Sequence, residues 1–214
     1  MIPWLEPRMA PHFPDTASAL AEPAGLLAAG GRLDVAWLLV AYRQGIFPWF
    51  NENEPILWWS PAPRTVLYPE RFHQSKSLQK LARRQRYRIT EDQDFRAVIE
   101  ACAGEREDQN GTWINPQMIE AYSAMHEAGF AHSIECRREG KLVGGLYGIG
   151  LGRVFFGESM FSREPNTSKL CLKHLVDSGR YAMIDCQLPT GHLQSLGAIE
   201  ISRDEFEAAL NRWT

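Results

Sequence analysis

The stretch GGLYGIGLGRVFFGESMFS, residues 144–162, decides how this chain is read. Two apolar runs flank a glycine-rich turn, the pattern of a β-hairpin. The second run carries one carboxylate, Glu158, among Phe155, Phe156, Met160 and Phe161. The plain interpretation is a strand whose last polar residue caps it. The sharper one is a pocket: an acid at the mouth of an aromatic and methionine cluster suits an apolar group with a cation beside it.

Working outward, strands are expected at 131–137, 141–147 and 154–156, with the glycines at 148, 150 and 152 in the hairpin turn. A helix over 167–176 follows, with Asn166 at its cap and Gly179 as its stop. Next comes a buried strand, 182–186, carrying Asp185 and leading into Gln187. Ser202 and Glu205 form a capping box that opens the last helix. Upstream, Phe95, Val98, Ile99 and Cys102 recur at helical spacing over 92–102, and a first strand precedes them at 86–90. A polar loop covers 104–111. Asn115 and Pro116 then open a helix that Gly129 ends. Helices, hairpin strands, helix, strand, helix is an α+β order.

The N-terminal part differs in texture. Residues 1–31 are rich in proline and glycine, which predicts loop-like packing. Asp34 caps a short apolar helix containing Trp37, Leu38, Ala41 and Tyr42, and Gly45 stops it. Trp49, Trp58 and Trp59 follow, bracketed by prolines. Most such tryptophans are core, but proline-stiffened aromatics also make stacking platforms for a nucleobase. The prolines at 61 and 63 mark a boundary between a domain of residues 1–62 and one of residues 63–214. Just beyond it, Arg71, Lys76, Lys80, Arg83, Arg84, Arg86 and Arg88 crowd together with almost no acid. With Ser75 as a helix cap, Lys76, Lys80 and Arg83 or Arg84 share one face. A solvated face is the ordinary explanation, and a phosphate-binding patch the alternative.

Composition narrows the classes. The chain has 214 residues, 44% hydrophobic and 23% charged, an ordinary globular balance. No long uncharged apolar run or basic-then-apolar start is present, which predicts neither a membrane span nor a secretory leader. Four widely spaced cysteines without a CxxC pair predict reduced core thiols in the cytoplasm. Six scattered histidines offer no metal site. A net charge of −3 confines any nucleic-acid contact to a local patch.

Taken together, EPAGLLAAGG, AYRQGIFPWF, ILWWSPAPR, GTWI, GGLYG, FFGESMFS, Ser168-Lys169, IDCQ and HLQSLGA resemble the leucyl/phenylalanyl-tRNA–protein transferases. The likeness runs from about Glu22 to Phe206. It departs at Arg32, where the family commonly has Asp, around Cys136, and at Asn166-Thr167-Ser168. The resemblance implies a small N-terminal domain followed by a GNAT-type acyltransferase domain, with a central, mostly antiparallel sheet flanked by helices. It implies transfer of Leu, Phe and less often Met from aminoacyl-tRNA to the α-amino group of proteins with N-terminal Arg or Lys, marking them for N-degron proteolysis in bacteria. The ester on the tRNA is already activated, so aminoacyl-tRNA is the co-substrate and no metal or other cofactor is expected.

In that setting Phe155, Gly157, Met160 and Ile184, with part of Leu172 or Val176, form the pocket for the Leu or Phe side chain. A flexible thioether suits both an aliphatic and an aromatic guest. The resemblance places Trp49 and Trp113 against the terminal adenosine. Glu158 and Gln187 engage the acceptor's cationic residue or amine. Asp185, two residues before Gln187, is expected to share its face of the strand. The family's proposed relay draws a proton from the amine through Asp185 and Gln187. An amide is a weak base, so Gln187 is read as an orienting partner and Asp185 as electrostatic support. Lys76, Lys80, Arg83 and Arg84 meet the tRNA backbone. Two rivals are an acetyl-coenzyme-A-dependent N-acetyltransferase and a non-catalytic RNA-binding module. Against the first, Ser162-Arg163-Glu164-Pro165-Asn166 has no glycine with which to cradle a pyrophosphate.

Overall fold

Asp34 accepts the Trp37 backbone N–H at 3.0 Å and opens the first helix where the sequence expects it. A computed structural model describes residues 2–84, 86–104 and 114–214. In its N-terminal part β1 (Trp4–Leu5), β2 (Leu26–Gly30), α1 (Val35–Arg43), β3 (Phe47–Pro48) and β4 (Leu57–Trp59) appear in turn, and the strands order as β1-β2-β4-β3. The loop expected over 1–31 is thus broken by strands, and β2 is buried throughout. Its five small and apolar residues show no alternation because both faces are covered, so composition alone reads them as loop. Trp37 and Trp58 are fully buried beside it, and Trp58 Nε1 donates to the Gly30 carbonyl at 2.9 Å.

The remaining elements are β5 (Arg64–Leu67), α2 (Lys76–Arg83), β6 (Arg88–Glu91), α3 (Phe95–Ala103), α4 (Pro116–Glu127), β7 (Ala131–Arg138), β8 (Lys141–Leu151), β9 (Val154–Ser162), α5 (Thr167–Asp177), β10 (Met183–Gln187), α6 (Gly191–Ser195), β11 (Ile199–Ile201) and α7 (Arg203–Trp213). Strands β5, β11 and helix α6 are too short to leave a periodic signal, and the sequence did not reveal them. The caps at Ser75, Asn115 and Ser202 hold as expected. Asn166 differs: it takes a left-handed conformation, φ +68, and its side chain makes no capping bond.

The large sheet orders as β11-β5-β10-β9-β8-β7-β6. Only β9 and β10 are parallel, joined through α5, and the other neighbours are antiparallel. One face carries Leu78 of α2 and Leu170, Cys171 and Leu175 of α5. The other carries Ile99 of α3, Met118 of α4 and Phe206 of α7, continuous with the core of the N-terminal sheet. The α+β architecture with a mostly antiparallel central sheet is as expected.

The opening stretch is longer in strand than expected. Gly148 and Gly150 lie inside β8, and only Gly152, φ +53, belongs to the turn. Gly148 pairs with Gly157 and Tyr147 with Ser159, so Glu158 is the extra residue of a β-bulge. The bulge reverses the alternation of β9. Phe155 and Met160, five positions apart, would face opposite ways on a regular strand. Here both pack in one apolar cluster, and Phe156 and Phe161 in the other. Gly148 is required at this crossing, since a Cβ there would lie 2.1 Å from the Phe156 carbonyl oxygen.

Candidate active site

Parallel strands β9 and β10 stay in register through Phe155/Ile184 and Phe156/Asp185, where their pairing ends. Beyond that point β9 follows β8, and β10 follows β5. A second bulge lies in β10: Asp185 pairs with Val66 and Gln187 with Thr65, leaving Cys186 as the extra residue. The fork between the strands opens into a cavity of about 1230 Å³.

Phe155, Gly157, Met160, Leu172 and Ile184 line this cavity, as do Glu158 and Gln187. Val176 does not; Leu175 lines the wall of α5 instead. Asp185 does not reach it either. The expectation that Asp185 shares a face with Gln187 fails because the bulge at Cys186 breaks the two-residue repeat. Asp185 is fully buried behind the fork, where Arg64 Nε and Nη2 donate to its two oxygens at 2.8 and 2.7 Å. Its charge is therefore already matched, and its remaining contact is structural: Oδ1 accepts the Gln187 backbone N–H at 3.0 Å.

Glu158 occupies the polar end of the apolar wall. Its Oε2 accepts the Tyr122 hydroxyl at 3.2 Å, and Tyr122 in turn meets the Tyr42 hydroxyl. Its Oε1 is sealed from solvent with no hydrogen-bond partner among the described residues. Burial pushes the carboxyl up to about 7, helped by the Asp185 charge and opposed by the two tyrosines and Arg64. Burial and the Glu158 charge likewise raise Tyr42, Tyr122 and Tyr147, which stay protonated donors. Gln187 Nε2 and the Tyr147 hydroxyl are also buried and unpartnered among the described residues. The residues that line the cavity thus hold unused polar capacity of both signs just beneath its surface, beside an apolar wall, and an unmade buried bond is costly to keep.

Trp49 lies outside the cavity lining, 41% exposed, tilted against Trp59 at a centroid distance of 5.4 Å. Trp113 lies outside the described residues. On α2, Leu78 is buried, while Lys76, Lys80, Arg83 and, at the C-cap, Arg84 are exposed with no carboxylate partner among the described residues. Sequence reasoning missed Tyr42, Tyr122, Tyr147 and Arg64. The tyrosines fit helix and strand core patterns too well to stand out. Arg64 did carry a signal, a lone charge opening the buried strand Arg64–Leu67. Among the described residues no three His, Cys, Asp or Glu side chains cluster as a metal site, and no helix is long and apolar enough to cross a membrane.

Residues 66–211 match the family model described as Leucyl/phenylalanyl-tRNA protein transferase, and residues 31–62 match that of its N-terminal domain. A relative from Azoarcus sp. (strain BH72), a leucyl/phenylalanyl-tRNA–protein transferase, is 55% identical over 217 residues, spanning 100% of this chain and 92% of its own. One of the same name from Pseudomonas fluorescens (strain Pf0-1) is 56% identical over 216 residues, spanning 99% and 95%. Among solved structures, a GCN5-related N-acetyltransferase from Kribbella flavida aligns with a TM-score of 0.40 at 11% identity, over 78% of this chain and 60% of that one. The family and relative matches define a tRNA-dependent aminoacyltransferase acting on proteins. The chain belongs to the leucyl/phenylalanyl-tRNA protein transferase family. Transfer of leucine or phenylalanine from tRNA to protein follows from that membership.

Proposed function

We propose that the cavity at the fork receives the amino-acid side chain of Leu-tRNA, Phe-tRNA or Met-tRNA, with Phe155, Gly157, Met160, Leu172 and Ile184 as its wall. The acceptor is a protein with N-terminal Arg or Lys, and the modified product is directed to proteolysis in the cytoplasm. Glu158 and Gln187 hold the acceptor end, Trp49 and Trp113 the terminal adenosine, and Lys76, Lys80, Arg83 and Arg84 the tRNA backbone. Aminoacyl-tRNA is the only co-substrate. Residues 1–62 form a domain that supports the site, and residues 63–214 form the one that contains it.

One observation carries this reading: Glu158 and Gln187 line one cavity with an apolar wall, and Glu158 Oε1 and Gln187 Nε2 are buried and unpartnered among the described residues. An acceptor and a donor left open at that spot suit an ammonium and a carbonyl oxygen. An arriving cation would also favour the ionised form of Glu158, reversing the effect of burial. A free α-amine has a pKa of about 7.7–8.0, so near pH 7 roughly a tenth is neutral, and complete deprotonation offers only about 1.4 kcal/mol. Alignment of amine and ester contributes about 7–11 kcal/mol in the best cases. Positioning dominates, and Gln187 acts by orienting.

The test is incubation with Leu-tRNA and two peptides that differ only in starting with Arg or Ala. The expected result is leucine on the Arg peptide, with Glu158→Gln narrowing the preference over Ala. A preference unchanged in that variant would remove Glu158 from the acceptor site. Acetyl transfer from acetyl-coenzyme A, or RNA binding without transfer, would overturn the reading altogether.

A further inference from the structure

Gln187 has a backbone conformation that its type rarely adopts, φ +58, in the left-handed region. Such a state persists only when the surroundings over-determine it. Two contacts meet there. Its N–H is tied to Asp185 Oδ1 at 3.0 Å, and its pairing partner across the bulge is Thr65 of β5. Arg64 precedes Thr65 and grips Asp185 through two donors, so one residue secures both sides of the bulge. The guanidinium is itself fixed, 4.9 Å from the ring of Phe47 in the N-terminal sheet and 4.6 Å from that of Phe206 in α7. Arg64 is 1% exposed and does not line the cavity, so it touches nothing that the cavity holds.

We propose that Arg64 is a positioning residue for aminoacyl transfer, holding Gln187 at the fork through Asp185, with Phe47 making the N-terminal sheet part of that support. The inference rests on Gln187 being a residue of the working site. A planar two-point fork defines the position of a carboxylate, whereas a lysine ammonium is a single point on a flexible stem. Lysine would keep the charge and lose the geometry. A displacement of about 1 Å at a reacting centre can cost about a hundredfold in rate.

The experiment is a double-mutant cycle of Arg64→Lys and Gln187→Ala, read as single-turnover transfer from saturating Leu-tRNA to an Arg-starting peptide. Arg64→Lys alone is expected to slow the step by about tenfold or more with tRNA affinity unchanged. In the Gln187→Ala background the same change should cost less than about threefold, since its target is gone. Equal losses in both backgrounds, or a wild-type rate in Arg64→Lys, would overturn the proposal. If Gln187→Ala alone transfers at the wild-type rate, the reading of Gln187 as a site residue fails, and the inference with it. That result is distinct, because in the other failures Gln187→Ala remains slow. Should Arg64→Lys not fold, Phe47→Leu takes its place in the cycle and leaves the ion pair intact. A milder slowing that vanishes without Gln187 supports the proposal, and one that persists refutes it.

Discussion

Replacing Glu158 with glutamine should change how stability depends on pH, and the size of that change follows from its surroundings. Burial, with Asp185 nearby, raises this carboxyl from the ordinary 4.5 to about 7. Between those values the native protein retains a proton that the unfolded chain has released, so stability falls as pH rises. At 1.36 kcal/mol per pH unit the full fall is about 3 kcal/mol, complete just above pH 7. For a chain of this size that is about 6–12 °C in Tm. Glutamine cannot titrate, so Glu158→Gln loses this fall. The variant also places an amide N–H where Oε1 now lacks a partner, but that offset is the same at every pH and cancels from the slope. Urea unfolding of both proteins at steps from pH 4.5 to 8.5 is the assay. The stability difference, variant minus wild type, should climb by about 3 kcal/mol up to pH 7.5 and then level off. Parallel curves would show that Glu158 is not held as a buried acid, and the account of the polar end of the cavity would fall with it.

Two further outcomes bear on separate parts of the molecule. Asp185→Asn leaves the Arg64 charge buried without its counter-charge, and should lower unfolding free energy by about 3–5 kcal/mol in the same urea assay; a loss under about 1 kcal/mol would mean that the pair is solvated. Lys80→Ala should weaken tRNA binding and reduce the slope of log affinity against log salt by about one; an unchanged slope would return Lys80 to an ordinary solvated face.

The parts of this fold that were legible in the sequence are those whose cause is local. Asp34, Ser75, Asn115 and Ser202 each bond to a backbone N–H three residues on, so the signal and the structure occupy the same few positions. The hairpin of β8 and β9 was legible for the same reason, and with it the aromatic wall. Strand β2 was not, because a strand covered on both faces carries no alternation. Arg64 and Asp185 lie 121 residues apart, and nothing near either one names the other. The tyrosine chain to Glu158 joins α1, α4 and β9, three elements whose meeting is a property of the whole packing.

The two bulges show why the site could be guessed while its mechanics could not. Counting by twos along β9 puts Phe155 and Met160 on opposite faces, and along β10 it puts Gln187 with Asp185. Both counts are wrong for one physical reason. A bulge is a mismatch between two strands, two residues facing one, so neither strand's own sequence contains it. At Glu158 the mismatch is against β8 and brings Phe155 and Met160 onto one wall. At Cys186 it is against β5, and it separates the amide that faces the cavity from the carboxylate that does not. The chemistry changes accordingly. Had Asp185 shared the cavity with Gln187, its charge would be available to a substrate amine, and a proton relay would be a natural reading. Spent on Arg64 behind the fork, that charge instead anchors the strand that presents Gln187. The carboxylate left with an unpartnered oxygen among the described residues is that of Glu158, which burial raises to about 7.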